Sequence, residues 1–136
     1  MKLLLDTNAY VDLMQGRREV ADQVRRSERI YLSAVVAGEL IFGFRNGTRY
    51  EINMHRLEEF LDNPYVEFLP VTMTTADRFG RIAAELRRKG KPIPTNDIWI
   101  AAHTMESGAE LLSSDAHFEA IGGLAWIGYR SRSLSF

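Results

Sequence analysis

Short apolar runs alternate along the chain with longer stretches in which apolar residues recur at helical spacing. KLLL (2–5), IYL (30–32), VEFLPV (66–71), AELLSS (109–114) and LAWIGY (124–129) read as strands. Between them AYVDLM and REVADQVRRS read as two helical pieces broken at Gly16. A further helix runs from Ser33 through Phe44 and stops at Asn46-Gly47. YEINMHRLEEFLDN, with Ile52, Leu57, Phe60 and Leu61 set among charges, predicts a half-exposed helix ended by Pro64. TTADRFGRIAAELRRKG places Phe79, Ile82, Ala83 and Leu86 on one face and closes on Gly90, a residue favoured just past a helix end. KPIPT is a connector, NDIWIAAHTMESG a helix and DAHFEAI a short one, and RSRSLSF (130–136) is a polar tail expected to fray.

Strands separated by helices, with too little polar alternation to face water on one side, predict a mainly parallel sheet covered on both faces. Such sheets place their sites beyond the carboxyl ends of the strands. Asp6 follows the first predicted strand and Asp115 the fourth, so both fall at that edge.

Four acids lie in apolar surroundings. Glu39 is the only charge in AVVAGELIFGF (34–44), a helix whose apolar circumference predicts burial. Val35, Val36, Phe42 and Gly43 share its face, so the carboxylate points toward the core or a cleft. There it must be paired with one of the many Arg residues or bound to a metal, since a lone buried carboxylate is expensive. Asp97 falls in the first turn of its helix, where an acid is favoured by the helix dipole, with Thr95 or Asn96 available as the cap. Asp115 has the same structural reading, as cap of the short helix after it. Asp6 is harder to explain as a cap, because Asn8 competes for that place. Taken together, an open parallel sheet gathers loops from different strands at one edge, and a carboxylate cluster there raises its own pKa values unless cations are present. All-oxygen ligands select a hard cation, Mg²⁺ or Mn²⁺, over zinc or copper. His55, His103 and His117 are far apart in sequence and form no zinc-binding pair. His55 reads as solvated and His103 as a packing or surface residue.

Composition narrows the chemistry further. The 136 residues, 46% hydrophobic and 26% charged, are enough for a single domain spanning residues 1–136. Cysteine is absent, which excludes thiol nucleophiles, thiolate zinc sites and disulfides. The opening apolar stretch is too short for a secretory signal, and no segment reaches the roughly 18 apolar residues of a membrane helix. A cytoplasmic protein without membrane contact is therefore expected. A formal net charge of −1 argues against coating of nucleic acid by positive charge and leaves room for a local basic patch. LRRKGKP, with Arg87, Arg88, Lys89 and Lys91, is such a patch; it either contacts nucleic-acid phosphates or complements the dipole at a helix end.

DTN (6–8), GELIFG with Glu39 and Gly43, GKPIPTNDIWIAA with Asp97, and LLSSDAHF with Asp115 resemble, in order and spacing, the marks of the PIN-domain family and its VapC-type toxins. The resemblance covers about residues 1–128. It implies a three-layer α/β/α sandwich with a central, mainly parallel sheet. It implies a metal-dependent endoribonuclease with Asp6, Glu39, Asp97 and Asp115 as the metal site, and with Asn8 and Ser114 as small polar residues that orient the acids. It also implies hydrolysis of RNA by water that Mg²⁺ or Mn²⁺ activates, a cognate antitoxin lying across the helices of the Arg17–Arg29 region, and a homodimer. Tyr10, Phe42, Phe44 and Trp99 are candidates for aromatic contacts, against core packing as the alternative for each. One departure stands out: many members carry another acid two residues after the fourth, and here that residue is His117. A catalytically silent PIN-like module that binds a protein partner is the competing expectation.

Overall fold

The structure, a computed structural model, describes residues 1–131. Five strands form one parallel sheet: β1 (Lys2–Leu5), β2 (Arg29–Ser33), β3 (Val66–Leu69), β4 (Glu110–Ser113) and β5 (Trp126–Gly128), in spatial order β3-β2-β1-β4-β5. Six helices connect them: α1 (Thr7–Met14), α2 (Arg18–Arg25), α3 (Ala34–Asn46), α4 (Tyr50–Asp62), α5 (Met73–Lys89) and α6 (Thr95–Ser107). A 3-10 turn at Ala116–Ala120 lies between β4 and β5.

Strand alternation explains the layers. Leu3 and Leu5 of β1 pack with Ile30, Leu112 and Val20 of α2 on one face of the sheet. Leu4 faces the other way, into a larger core with Leu111, Ile100 of α6, and Ile82 and Leu86 of α5. Both faces are thus covered, as the nearly uninterrupted apolar character of β1 and β4 requires. The result is the three-layer α/β/α arrangement.

The chain builds outward from β1 in one direction through β2 and β3, then returns to the other side of β1 for β4 and β5. The strand order therefore reverses between β1 and β4, and a crevice opens beyond their carboxyl ends. The register pairs Leu5 with Leu112, and Asp6 N donates to the Leu112 carbonyl at 3.1 Å. Asp6 is set beside the Ser113–Asp115 turn as a consequence.

One expectation is corrected. The helix carrying Glu39 is not buried all round: Val36, Ala37, Leu40 and Phe44 face the core, while Gly38 and Phe42 face solvent, Phe42 being 68% exposed. Its outward apolar residues are open surface. At the start of the tail expected to fray, the Arg130 carbonyl accepts from Arg17 at 2.7 Å and Ser131 donates to Asp12 at 2.8 Å. The remainder of that tail lies outside the described residues. Among the described residues no helix is long and apolar enough to cross a membrane.

Candidate metal centre

Asp6 ends β1 and caps α1, so its position is fixed from both elements. Its Oδ1 accepts from Thr7 N at 2.8 Å, and its Oδ2 accepts from Ser113 Oγ at 2.6 Å and Asn8 Nδ2 at 3.2 Å. Asn8 does not compete for the cap; it lies inside α1, where its other amide atom accepts from Ser114 N at 3.1 Å. Asp6 is only 4% exposed, and burial pushes its pKa up to about 6. The charges of Asp97 and Glu39 add to that rise, while the Ser113 and Thr7 hydrogen bonds oppose it.

Glu39 projects from the middle of α3 into an open groove lined also by Phe42, Val71, Asn96 and Trp99. It accepts from Thr7 Oγ1 at 2.5 Å and from Asn96 Nδ2 at 3.1 Å. No Arg pairs with it among the described residues, which leaves the ion-pair reading without a partner. Asn96 is used here and not as a cap: Pro94 occupies the cap position of α6 and makes no side-chain cap bond.

Asp97, in the first turn of α6, is 8% exposed. Burial, and next the charge of Asp115, push its pKa up; His117 opposes and Glu39 adds. Its Oδ2 is buried and accepts no hydrogen bond. His117 Nδ1 lies 3.3 Å from that oxygen, close enough for charge attraction but outside hydrogen-bonding geometry. Asp115 does cap the 3-10 turn, accepting from His117 N at 2.9 Å, and it also faces the site. The His117 ring reaches back to it, with Nδ1 3.0 Å from Oδ1. Asp97, Asp115 and His117 each offer one ligand atom, and these atoms lie within 4.8 Å of one another.

Asp6 and Glu39 stand outside that group, coupled to it by charge: Asp6 to Asp97 and Glu39, and Asp97 to Asp115 and Glu39. Three groups are not evident from sequence, beside His117, which the family pattern marks. Ser113, not Ser114, supplies the hydroxyl that holds Asp6, and it also accepts from Asp115 N at 3.0 Å; Ser114 contributes its backbone N–H. Thr7 and Asn96 hold Glu39. Thr7 and Asn96 adjoin a candidate acid in sequence and Ser113 lies two residues before one, the one signal that points to them. His117 enters the cluster itself.

The other candidates separate cleanly. His103 is buried, bonding Ser33 Oγ at 2.7 Å and the Pro70 carbonyl at 3.0 Å, and His55 is exposed beside Glu59. Tyr10 and Phe44 are core residues, and Trp99 stacks on Phe79 with ring centroids 4.1 Å apart. In the basic run, Arg88 and Lys89 pair with Glu85 of the same helix at 2.6 and 3.7 Å. Arg87 and Lys91 have no acidic partner among the described residues.

This donor set fits a divalent cation. A buried carboxylate oxygen without a hydrogen bond, among like charges that add to the raised pKa of Asp6 and Asp97, is a position that suits a cation. Carboxylates favour hard ions, and the imidazole nitrogen adds a donor that the all-oxygen expectation lacked.

The PIN-domain model matches residues 3–124. The chain is 32% identical over 117 residues to ribonuclease VapC2 of Haemophilus influenzae, covering 85% of this chain and 87% of that protein. It is 28% identical to the tRNA(fMet)-specific endonuclease VapC of Shigella flexneri, over 91% of this chain and 95% of the relative. Among solved structures, VapBC-1 from nontypeable Haemophilus influenzae superposes with a TM-score of 0.82 at 29% identity, covering 94% of this chain and 98% of that one.

Proposed function

Because the chain belongs to the PIN-domain family, we propose that it is a divalent-cation-dependent endoribonuclease and the toxin of a toxin–antitoxin pair. The VapC ribonucleases it resembles along nearly their whole length support the activity, and the likeness to VapBC-1 supports an antitoxin partner. The observation that carries the reading is the grouping of Asp97, Asp115 and His117, coupled by charge to Asp6 and Glu39, with one buried oxygen of Asp97 left without a hydrogen bond.

In this reading Asp6, Asp97, Glu39 and Asp115 hold Mg²⁺ or Mn²⁺, with His117 as a further donor. The ion supplies an acidified water at neutral pH and offsets charge on the attacked phosphate. The protein residues do the orienting. Ser113, Asn8 and Thr7 N fix both oxygens of Asp6, so that carboxylate presents one geometry. Thr7 Oγ1 and Asn96 hold Glu39 at the open side, where a phosphodiester strand can enter. Of the basic run, Arg87 and Lys91, without an acidic partner among the described residues, can meet backbone phosphates.

An RNA substrate implies work in the cytoplasm, by one domain spanning the chain. A homodimer belongs to the same proposal. The test is cleavage of a total-RNA pool with the ends mapped. Wild-type protein with Mg²⁺ or Mn²⁺ yields new ends; EDTA and, separately, Asp6→Asn abolish them. Undiminished cutting by a folded Asp6→Asn chain contradicts the assignment. A wild-type chain that binds no divalent ion and cuts nothing leaves the silent interaction module.

A further inference from the structure

Between α1, the end of α3 and α4 lies a pocket of about 150 Å³ that none of the four acids lines. Its polar wall is Tyr10, Gln15, Arg49, Asn53 and Arg56, over an apolar floor of Val11, Met14 and Phe44. Helical spacing builds it: Arg49 at the cap of α4 shares one face with Asn53 and Arg56, and Tyr10 shares one with Met14.

Every polar side chain of the wall can donate a hydrogen bond, and no carboxylate is among them. Arg49 and Arg56 have no acidic partner among the described residues. Nearby Arg45 differs, since Tyr50 engages it: the guanidinium lies 4.5 Å over the ring and 3.0 Å from the hydroxyl. Tyr10 is the stronger sign. It is 2% exposed, its ring meets Phe60 edge-on at 5.3 Å, and its hydroxyl is buried without a hydrogen bond. Burial pushes its pKa up to about 12 against the opposing charge of Arg56, so the hydroxyl keeps its proton and lies within the field of that guanidinium.

Two unpaired guanidinium groups and an orphaned donor around one small pocket suit an anion. Size selects the kind. Small-molecule sites typically run to roughly 300–1,000 Å³. About 150 Å³ instead holds one group the size of a benzene ring. An acidic side chain has that bulk, with a carboxylate for the donors and a CH₂ stem for the floor. A nucleotide is too large, and an RNA phosphate alone leaves the floor uncovered. Arginine and tyrosine are also residues on which protein interfaces concentrate their binding energy, around anchors that fill pockets.

We propose that this pocket docks a protein partner by taking one of its acidic side chains, whose carboxylate meets Arg49, Arg56 and the Tyr10 hydroxyl. The inference does not rest on the metal-site reading. The hydroxyl is closed to solvent in the free chain, so a rim side chain swings aside to admit the carboxylate; Arg49 and Arg56, both exposed, have that freedom.

The experiment is an NMR titration of the full chain in EDTA, read from the side-chain amide signals of Gln15 and Asn53. The probe is N-acetylglutamate N-methylamide, and its neutral control is the corresponding glutamine compound. The acidic probe is expected to shift those signals saturably at roughly millimolar concentration, and the neutral one to bind at least about tenfold more weakly. Arg49→Ala combined with Arg56→Ala is expected to lose at least about tenfold in affinity for the acidic probe. Tyr10→Phe is expected to lose about threefold while melting no lower than wild type, because it deletes a donor that has no partner. Equal affinity for the two probes overturns the proposal, and so does wild-type affinity in the folded double variant or in Tyr10→Phe. Should Tyr10→Phe fail to fold, the double variant decides. Inorganic phosphate or a single-stranded RNA that displaces the acidic probe and binds more tightly overturns it in favour of a phosphate site. Self-association of the wild type that the double variant loses overturns it in favour of a second copy as the occupant.

Discussion

Asp6 carries two opposed demands, since its place at the strand end suits a cation and its burial penalises its charge. With a folded pKa of about 6 against an ordinary 3.8, the folded state holds more protons at this group between those values than the unfolded state does. Its contribution to stability is therefore greatest below about pH 4 and is lost as pH rises through about 6. Two pKa units correspond to about 3 kcal/mol. In EDTA near pH 7.5 the Asp6→Asn chain should be more stable than wild type by up to about that amount, as read from urea midpoints. Added Mn²⁺ should stabilise wild type and leave Asp6→Asn unmoved. His117 makes a separate prediction. Nitrogen is a poor ligand for Mg²⁺ but an acceptable one for Mn²⁺. His117→Ala should thus weaken Mn²⁺ binding several-fold, on the order of 1 kcal/mol, and change Mg²⁺ binding little; equal losses for both ions would make the ring an ion-pair partner only. At this scale the acids are legible because a carboxylate inside an apolar run is conspicuous. Ser113, Thr7 and Asn96 are not, because a small polar residue beside an acid is ordinary until the register shows what it faces.

The helices and strands follow from periodicity, and the departures have identifiable causes. α3 reads as apolar on every side, yet Gly38 and Phe42 face outward. Hydropathy cannot distinguish an apolar face meeting the core from one lining an open groove. Asp6 and Asp115 each cap an element and also face the site, so cap and ligand are not exclusive alternatives for an acid at a strand end. Where backbone conformation alone decides, sequence is sufficient: Gly90, expected as the stop of α5, holds a φ of +66° with open space around the position of a Cβ. Gly90→Ala should then cost about 1 kcal/mol from backbone strain alone, with no packing penalty. A urea midpoint unchanged from wild type would refute that.

At the scale of the whole molecule, the crevice is a product of strand order. A single chain cannot reveal directly that β4 returns beside β1, though the parallel class and the edge at which the acids gather are both legible. The same scale governs substrate capture by a chain of net charge −1, which must rely on local cations. Charge reversal of Arg87 and Lys91 together should lower the magnitude of the logarithmic salt slope of RNA binding by about 2, one for each phosphate no longer neutralised. Reversing Arg88, already engaged by Glu85, should change it less.

The hydrogen bond from Ser113 to Asp6 spans 107 positions of the chain. Translation makes β1 before its neighbour β4, so a nascent chain on the ribosome has Asp6, Glu39 and Asp97 in hand long before Ser113 fixes the first of them. The crevice is then incomplete until β4 has been made, and a prematurely terminated fragment ending before residue 110 should be harmless to the cell that made it.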